Sequence, residues 1–164
     1  MKVPKRRRRE HKTDYHRRLN LLKSNRSRIV FRKSNKYLIS QYVTSAEAQD
    51  KIEISTNSKE LLKYGWPEEF KGSLKSIPAG YLLGLLTGKK IIRAKKEVPI
   101  VDLGIARVLH KTVIFGFIKG LIDSGLNIEC KKEAFPEKER IEGEALKKDF
   151  TTKFKDIKTK IEKE

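Results

Sequence analysis

The most apolar stretch of this chain is IPAGYLLGLLTG, residues 77–88, and it decides what the rest can become. It falls well short of the ~20 residues that a helix needs to cross a bilayer, so it reads as a helix that its own protein must bury. Ser76 precedes it and Pro78 falls in its first turn, where a missing N–H costs nothing. Leu82, Leu83, Leu86 and Ile91 then carry it toward a core. Because 37% of the 164 residues are charged, the material available to wrap this helix is limited and the core has to be compact.

The wrapping elements are legible on either side. In RIVFRKSNKYLISQYV, residues 28–43, Ile29 and Phe31 alternate with Val30 and Arg32. Ser34 and Asn35 mark a turn, and Tyr37, Ile39, Gln41 and Val43 alternate with Leu38, Ser40 and Tyr42. That pattern is a β-hairpin, and KIEIST at 51–56 offers a third strand. SKELLKYGW reads as a short helix with Ser58 at its N-cap and Gly65 past its end, followed by a loop, PEEFKGSLKS. VPIVDLGI, residues 98–105, has the nearly unbroken apolar character of a strand covered on both faces. A helix over 112–124 carries Val113, Phe117 and Leu121 on one row and Phe115, Ile118 and Ile122 on another, and LNIEC supplies a last short strand. Gly116 and Gly120 on that helix predict close packing on a sheet. The sum is an α/β fold with a mixed sheet, in which an antiparallel start is joined by later strands through crossover helices.

Charge divides the chain further. Residues 1–36 hold 15 Lys or Arg against Glu10 and Asp14, a net of +13 out of +18 for the whole chain. This predicts a basic arm with a short helix over residues 1–27, in which Thr13 or Asp14 caps a stripe of Tyr15, Leu19 and Leu22. An α/β core follows over 28–130, then a charged peripheral extension over 131–164, partly helical and solvated. A basic block beside a nearly balanced domain is the electrostatic footprint of a polyanion partner, nucleic acid first and an anionic membrane surface second. A solvated tail is the bland alternative.

Catalytic signatures are sparse. The sequence contains neither a phosphate-cradling P-loop nor a dinucleotide-binding glycine motif, and LTGKK falls late in a helix where a P-loop cannot be. His11, His16 and His110 have no partners at the spacing of a metal site or a triad. One cysteine, Cys130, excludes an internal disulfide and fits a reducing compartment, and the polar residues after the first basic run do not read as a secretory signal. No catalytic residue, metal or cofactor is expected. A metal-dependent nuclease needs several inward carboxylates, and only Asp102 lies on an expected strand. Arginine, by contrast, is clustered: Arg6, Arg7, Arg8 and Arg9, then Arg17 and Arg18, then Arg26, Arg28 and Arg32. Guanidinium forks bind phosphate in bidentate fashion and stack on bases, which favours folded RNA, with Tyr15, Phe31, Tyr37 and Tyr42 near enough to stack on unpaired bases.

Seven blocks, KVPKRRRREHKTDYHRRLNLLKS, RIVFRKSNK, YGW, PAGYLLGLLTGKK, DLG, GLIDSGLNI and FPEKERIEGE, occur in this order. Over residues 2–145 the chain closely resembles the universal large-subunit ribosomal protein eighteen family in its archaeal form, related to the eukaryotic cytosolic homologue. The resemblance implies a cytoplasmic, non-enzymatic component of the large ribosomal subunit. It implies binding to 5S ribosomal RNA in the central protuberance, with contacts to large-subunit ribosomal RNA, a second 5S-binding protein and other central-protuberance proteins, and no membrane. By position, the expected RNA contacts are Arg6, Arg7, Arg8, Arg9, Lys12, Tyr15, Arg17 and Arg18 in the arm, with Arg28, Arg32, Lys33, Ser34, Asn35 and Lys36 in the hairpin. Lys5 and Arg26 complete the candidate set. The competing expectation is an RNA-processing enzyme on a basic α/β fold.

Overall fold

Alternation of side chains along residues 28–57 produces an antiparallel ribbon in the computed structural model, which describes residues 3–47, 49–144, 146 and 150–163. Lys2 of the expected arm lies outside these. Strand β1, Arg28–Lys33, pairs with β2, Leu38–Ala46, in the register Arg28 to Val43 and Lys33 to Leu38. The turn is closed by Ser34, whose hydroxyl donates to the Tyr37 carbonyl at 2.8 Å and accepts the Tyr37 N–H at 2.9 Å. Strand β3, Gln49–Asn57, pairs antiparallel to β2 with a bulge at Tyr42 and Val43. Strand β4, Ile100–Asp102, runs parallel to β1 and completes the order β3-β2-β1-β4. The mixed α/β fold is therefore the observed one.

Helices α3, Ile77–Arg93, and α4, Val113–Asp123, fill the face that carries Ile29, Phe31, Leu38 and Tyr42. Phe31 meets Phe117 with ring centroids 4.6 Å apart, and Thr56 on β3 shares a buried 2.7 Å hydrogen bond with Thr87 on α3. The Gly116 and Gly120 pattern works against a helix, not the sheet that the sequence predicts. Gly80, Gly84 and Gly88 form a matching stripe on α3, and the two stripes face each other. A Cβ at Gly84 would run into the Phe117 carbonyl and one at Gly120 into the Tyr81 carbonyl, so the two backbones touch.

Several expected elements differ. Residues 58–64 form a 3-10 helix capped by Asn57, which accepts the Lys59 N–H, while the Glu60 side chain accepts the Asn57 N–H. Ser58 is instead buried and accepts the Leu38 N–H at 3.0 Å. The expected loop at 67–76 contains another 3-10 helix, Glu68–Ser73. β4 is shorter than the run around it and forms an edge, with Ile100 and Val101 only half-buried. Pro99 removes an N–H before it, and Gly104, at a φ of +60°, turns the chain away after it. LNIEC is not a strand, because the Ile128 N–H turns back onto the Leu126 carbonyl at 3.0 Å and is lost to any ladder.

The reading of residues 131–164 as solvated is also corrected. After a 3-10 turn at Lys132–Ala134 and helix α5, Lys138–Glu142, helix α6, Phe150–Glu162, buries Phe150, Phe154, Ile157 and Ile161. It packs on α3 and the 58–64 segment, and Phe150 sits edge-on to Trp66 at 4.9 Å. No helix among the described residues is long and apolar enough to cross a membrane.

Candidate nucleic-acid interface

The arm forms two helices, α1 at Arg6–Arg9 and α2 at Tyr15–Lys23. Asp14, not Thr13, caps α2 by accepting the N–H groups of His16 and Arg17 at 3.0 and 3.1 Å. The expected apolar stripe does not anchor this helix, since Leu19 stays 49% exposed. Its arginines do so instead: Arg17 Nη1 donates to the Gly104 carbonyl at 2.9 Å and Arg18 Nη2 to Asp50 Oδ2 at 3.0 Å.

Beneath these contacts lies Arg28, which is 1% exposed. Its guanidinium donates to Asp102 Oδ2 at 3.2 Å, to Ser45 Oγ at 2.9 Å and to Asp50 Oδ1 at 2.7 Å. Asp102 in turn accepts the Gly104 N–H at 2.8 Å, and Arg32 Nη1 donates to the Asp102 and Phe31 carbonyls at 3.0 and 2.8 Å. Two carboxylates thus tie together the arm helix, β1, β4 and the turn after β4. A side chain on Gly104 would press on the Arg32 guanidinium at 2.9 Å, so glycine serves there both for its positive φ and for that close approach.

Burial pushes the Asp50 carboxyl upward, but hydrogen bonds from Ser45 and Arg18 and the charges of Arg28 and Arg18 outweigh it and hold it below the ordinary 3.8. A depressed folded value means that the stabilisation is complete above the ordinary value and disappears as the pH falls through the lower, folded one. The stability difference between the protein and Asp50→Asn should therefore be constant above about pH 5 and shrink below 3.8. Urea denaturation across that range checks this, and a difference that never shrinks would show that the network does not depend on the Asp50 charge.

The expected contact residues divide accordingly. Lys5, Arg6, Arg7, Arg8, Arg9 and Lys12 are all exposed. Within the arm, Arg7 Nε donates to Thr13 Oγ1 at 2.8 Å and Lys5 lies 4.8 Å over the Tyr15 ring. Arg17, Arg18 and Arg32 keep part of their surface while anchored. Arg26, Lys33, Ser34, Asn35 and Lys36 are exposed, and the Asn35 carbonyl accepts from Lys75 at 3.0 Å. Arg28 is the exception, because its guanidinium is enclosed by carboxylates and has no face left for a phosphate. Phe31 and Tyr42 are core residues, Tyr37 is half-buried against the core, and only Tyr15 remains near the surface of the arm.

Arg7, Lys12, Arg17, Arg18 and Arg32 line one hollow, and Lys12, Arg32, Lys33 and Arg107 border the next. Arg107 and its loop, residues 104–112, escape a reading based on clusters, since GIARVLHKT has neither a helical nor a strand period. Its mixture of exposed aliphatic and basic residues was the available signal. Among the described residues no cluster of three or more His, Cys, Asp or Glu side chains could hold a metal ion.

A layered α/β core that anchors a cationic arm through Gly104 and Asp50, with the buried Asp102 spent on arginine, defines a polyanion-binding protein. The model of the family of ribosomal large subunit proteins 60S L5 and 50S L18 matches residues 1–99. The chain belongs to that family, and is thus a protein of the large ribosomal subunit with ribosomal RNA as its partner.

Proposed function

We propose that this protein binds 5S ribosomal RNA and helps to attach it to large-subunit ribosomal RNA in the central protuberance, beside a second 5S-binding protein, and that it does so in the cytoplasm without catalysis. The observation that carries this reading is the meeting of cations from arm, hairpin and loop around shared hollows. Phosphate-binding groups held in fixed relation suit a folded RNA better than an extended one. The engagement of Asp102 and Asp50 by Arg28 favours binding over cleavage, since neither carboxylate is left to hold a metal. The RNA contacts are Lys5, Arg6 to Arg9, Lys12, Tyr15, Arg17, Arg18, Arg26, Arg32, Lys33 and Lys36. Ser34 and Asn35 shape the turn, and Arg28 positions the rest.

Affinity for 5S ribosomal RNA should exceed that for another folded RNA of like length. If six to ten phosphates are met, log affinity should fall against log salt with a slope of roughly −4 to −9. Deleting residues 1–12 should flatten that slope by several units. Equal affinity for both RNAs would refute the assignment to 5S ribosomal RNA, and an unchanged slope would reduce the arm to a solvated tail.

A further inference from the structure

The basic face has an apolar centre. Ile105 is 57% exposed, and Val108 and Leu109 on the same loop are 46% and 47% exposed. Ile105 lines three adjoining hollows: one with Arg17 and Arg18, one with Arg8 and Tyr15, and one with Phe31, Leu103 and Ala106. Single exposed aliphatic residues are ordinary on protein surfaces. Ile105 differs from its two neighbours in that the hollows it lines are rimmed by Lys12, Arg17, Arg18, Arg32, Lys33 and Arg107. The residue before Ile105 is held firmly: Gly104 has its N–H on Asp102 and its carbonyl on Arg17. The isoleucine is therefore presented in a fixed place.

An occupant of this patch has to be apolar on its face and anionic at its edge. The third hollow encloses about 440 Å³, within the ~300–1,000 Å³ of sites that hold small organic groups. Lys12, Arg32, Lys33 and Arg107 stand around it, and no carboxylate lines it. A nucleotide has that combination of a flat base and a charged phosphate. We propose that Ile105 and this hollow receive one unpaired base of the bound RNA, with the flanking phosphates on the rim cations, so that selectivity arises here while the arm supplies affinity. The proposal rests on ribosomal RNA as the partner and deepens that reading.

The test compares the full chain with Ile105→Ser and Ile105→Val on 5S ribosomal RNA and on fragments of large-subunit ribosomal RNA. It uses salt titrations together with chemical probing of unpaired bases, by dimethyl sulfate at A and C, a carbodiimide at U and kethoxal at G. Ile105→Ser should weaken binding by roughly 5-fold, the low end of what a base stacked on an aromatic ring contributes, because an aliphatic side chain offers apolar contact without a π-face. The salt slope and the thermal midpoint should stay unchanged. A base protected by the wild-type protein should regain its reactivity, and Ile105→Val should keep most of the protection. Unchanged affinity and protection with Ile105→Ser would overturn the proposal. So would intact RNA binding combined with failed incorporation into the subunit, which would make the patch a protein-docking site. If the wild type does not prefer 5S ribosomal RNA, the proposed function fails on its own, and the protection pattern on the large-subunit fragments still decides the base contact.

Discussion

Gly84→Ala and Gly120→Ala should each destabilise the protein by about 3 kcal/mol or more, at the upper end of what overpacking costs in a filled core. Each new methyl group would meet a backbone carbonyl of the opposite helix. A backbone cannot rotate aside as a side chain can, so α3 and α4 would have to separate along their length and loosen the contact of Phe117 with Phe31. Gly72→Ala is the matched control, because a Cβ there meets nothing within 4 Å. Urea denaturation followed by circular dichroism measures all three. A cost below about 0.5 kcal/mol at Gly84 would contradict the close crossing of the two helices.

Arg28→Ala should cost about 3 kcal/mol, the lower end of the range for a broken buried pair, because the Asp102 carboxylate loses its close cation and keeps only Arg32 Nη2 at 3.8 Å. Asp50 is more open to water and can be rehydrated, so Asp102 sets the size of the loss. Neutralising both sides, Arg28→Met with Asp102→Asn, should recover most of it, since a buried pair often contributes little beyond an apolar replacement of similar shape. The exposed arm residue Arg9, changed to Ala, should leave stability unaltered. A double variant no more stable than Arg28→Ala would mean that the guanidinium acts through Ser45 and Asp50 and not through the Asp102 charge.

These two sites also mark where the sequence was readable and where it was not. The hairpin was legible because period-two alternation on both sides of Ser34 and Asn35 admits one register, and α3 because its leucines recur behind a first-turn proline. Arg28 reads in the sequence as one more RNA-facing cation, on the hairpin. Its fate depends on Asp102, 74 positions along the chain, and nothing local reveals that pairing. The glycines of α4 announced a close approach, but not whether a sheet or a helix would make it. Helix α6 was hidden by its composition: Phe150, Phe154, Ile157 and Ile161 do keep a helical period, yet they form one narrow stripe among lysines and threonines. Of the interface, the cations themselves were visible, whereas the loop at 104–112 joins them only once the parallel pairing of β4 with β1 brings it alongside.

The position of α6 in the chain also bears on how the protein is made. Its four buried side chains cover α3, yet they leave the synthesising ribosome long after α3 does. At roughly 5–20 residues per second, several seconds separate Arg93 from Ile161. Throughout that interval the nascent domain carries an uncovered apolar strip of α3, and in its opening part also an arm that cannot dock until Asp102 and Gly104 have emerged. The half-made chain is thus sticky in two ways at once, toward hydrophobic surfaces and toward any RNA nearby. Its passage to a finished fold is the stage at which a chaperone that covers both would have the most to protect.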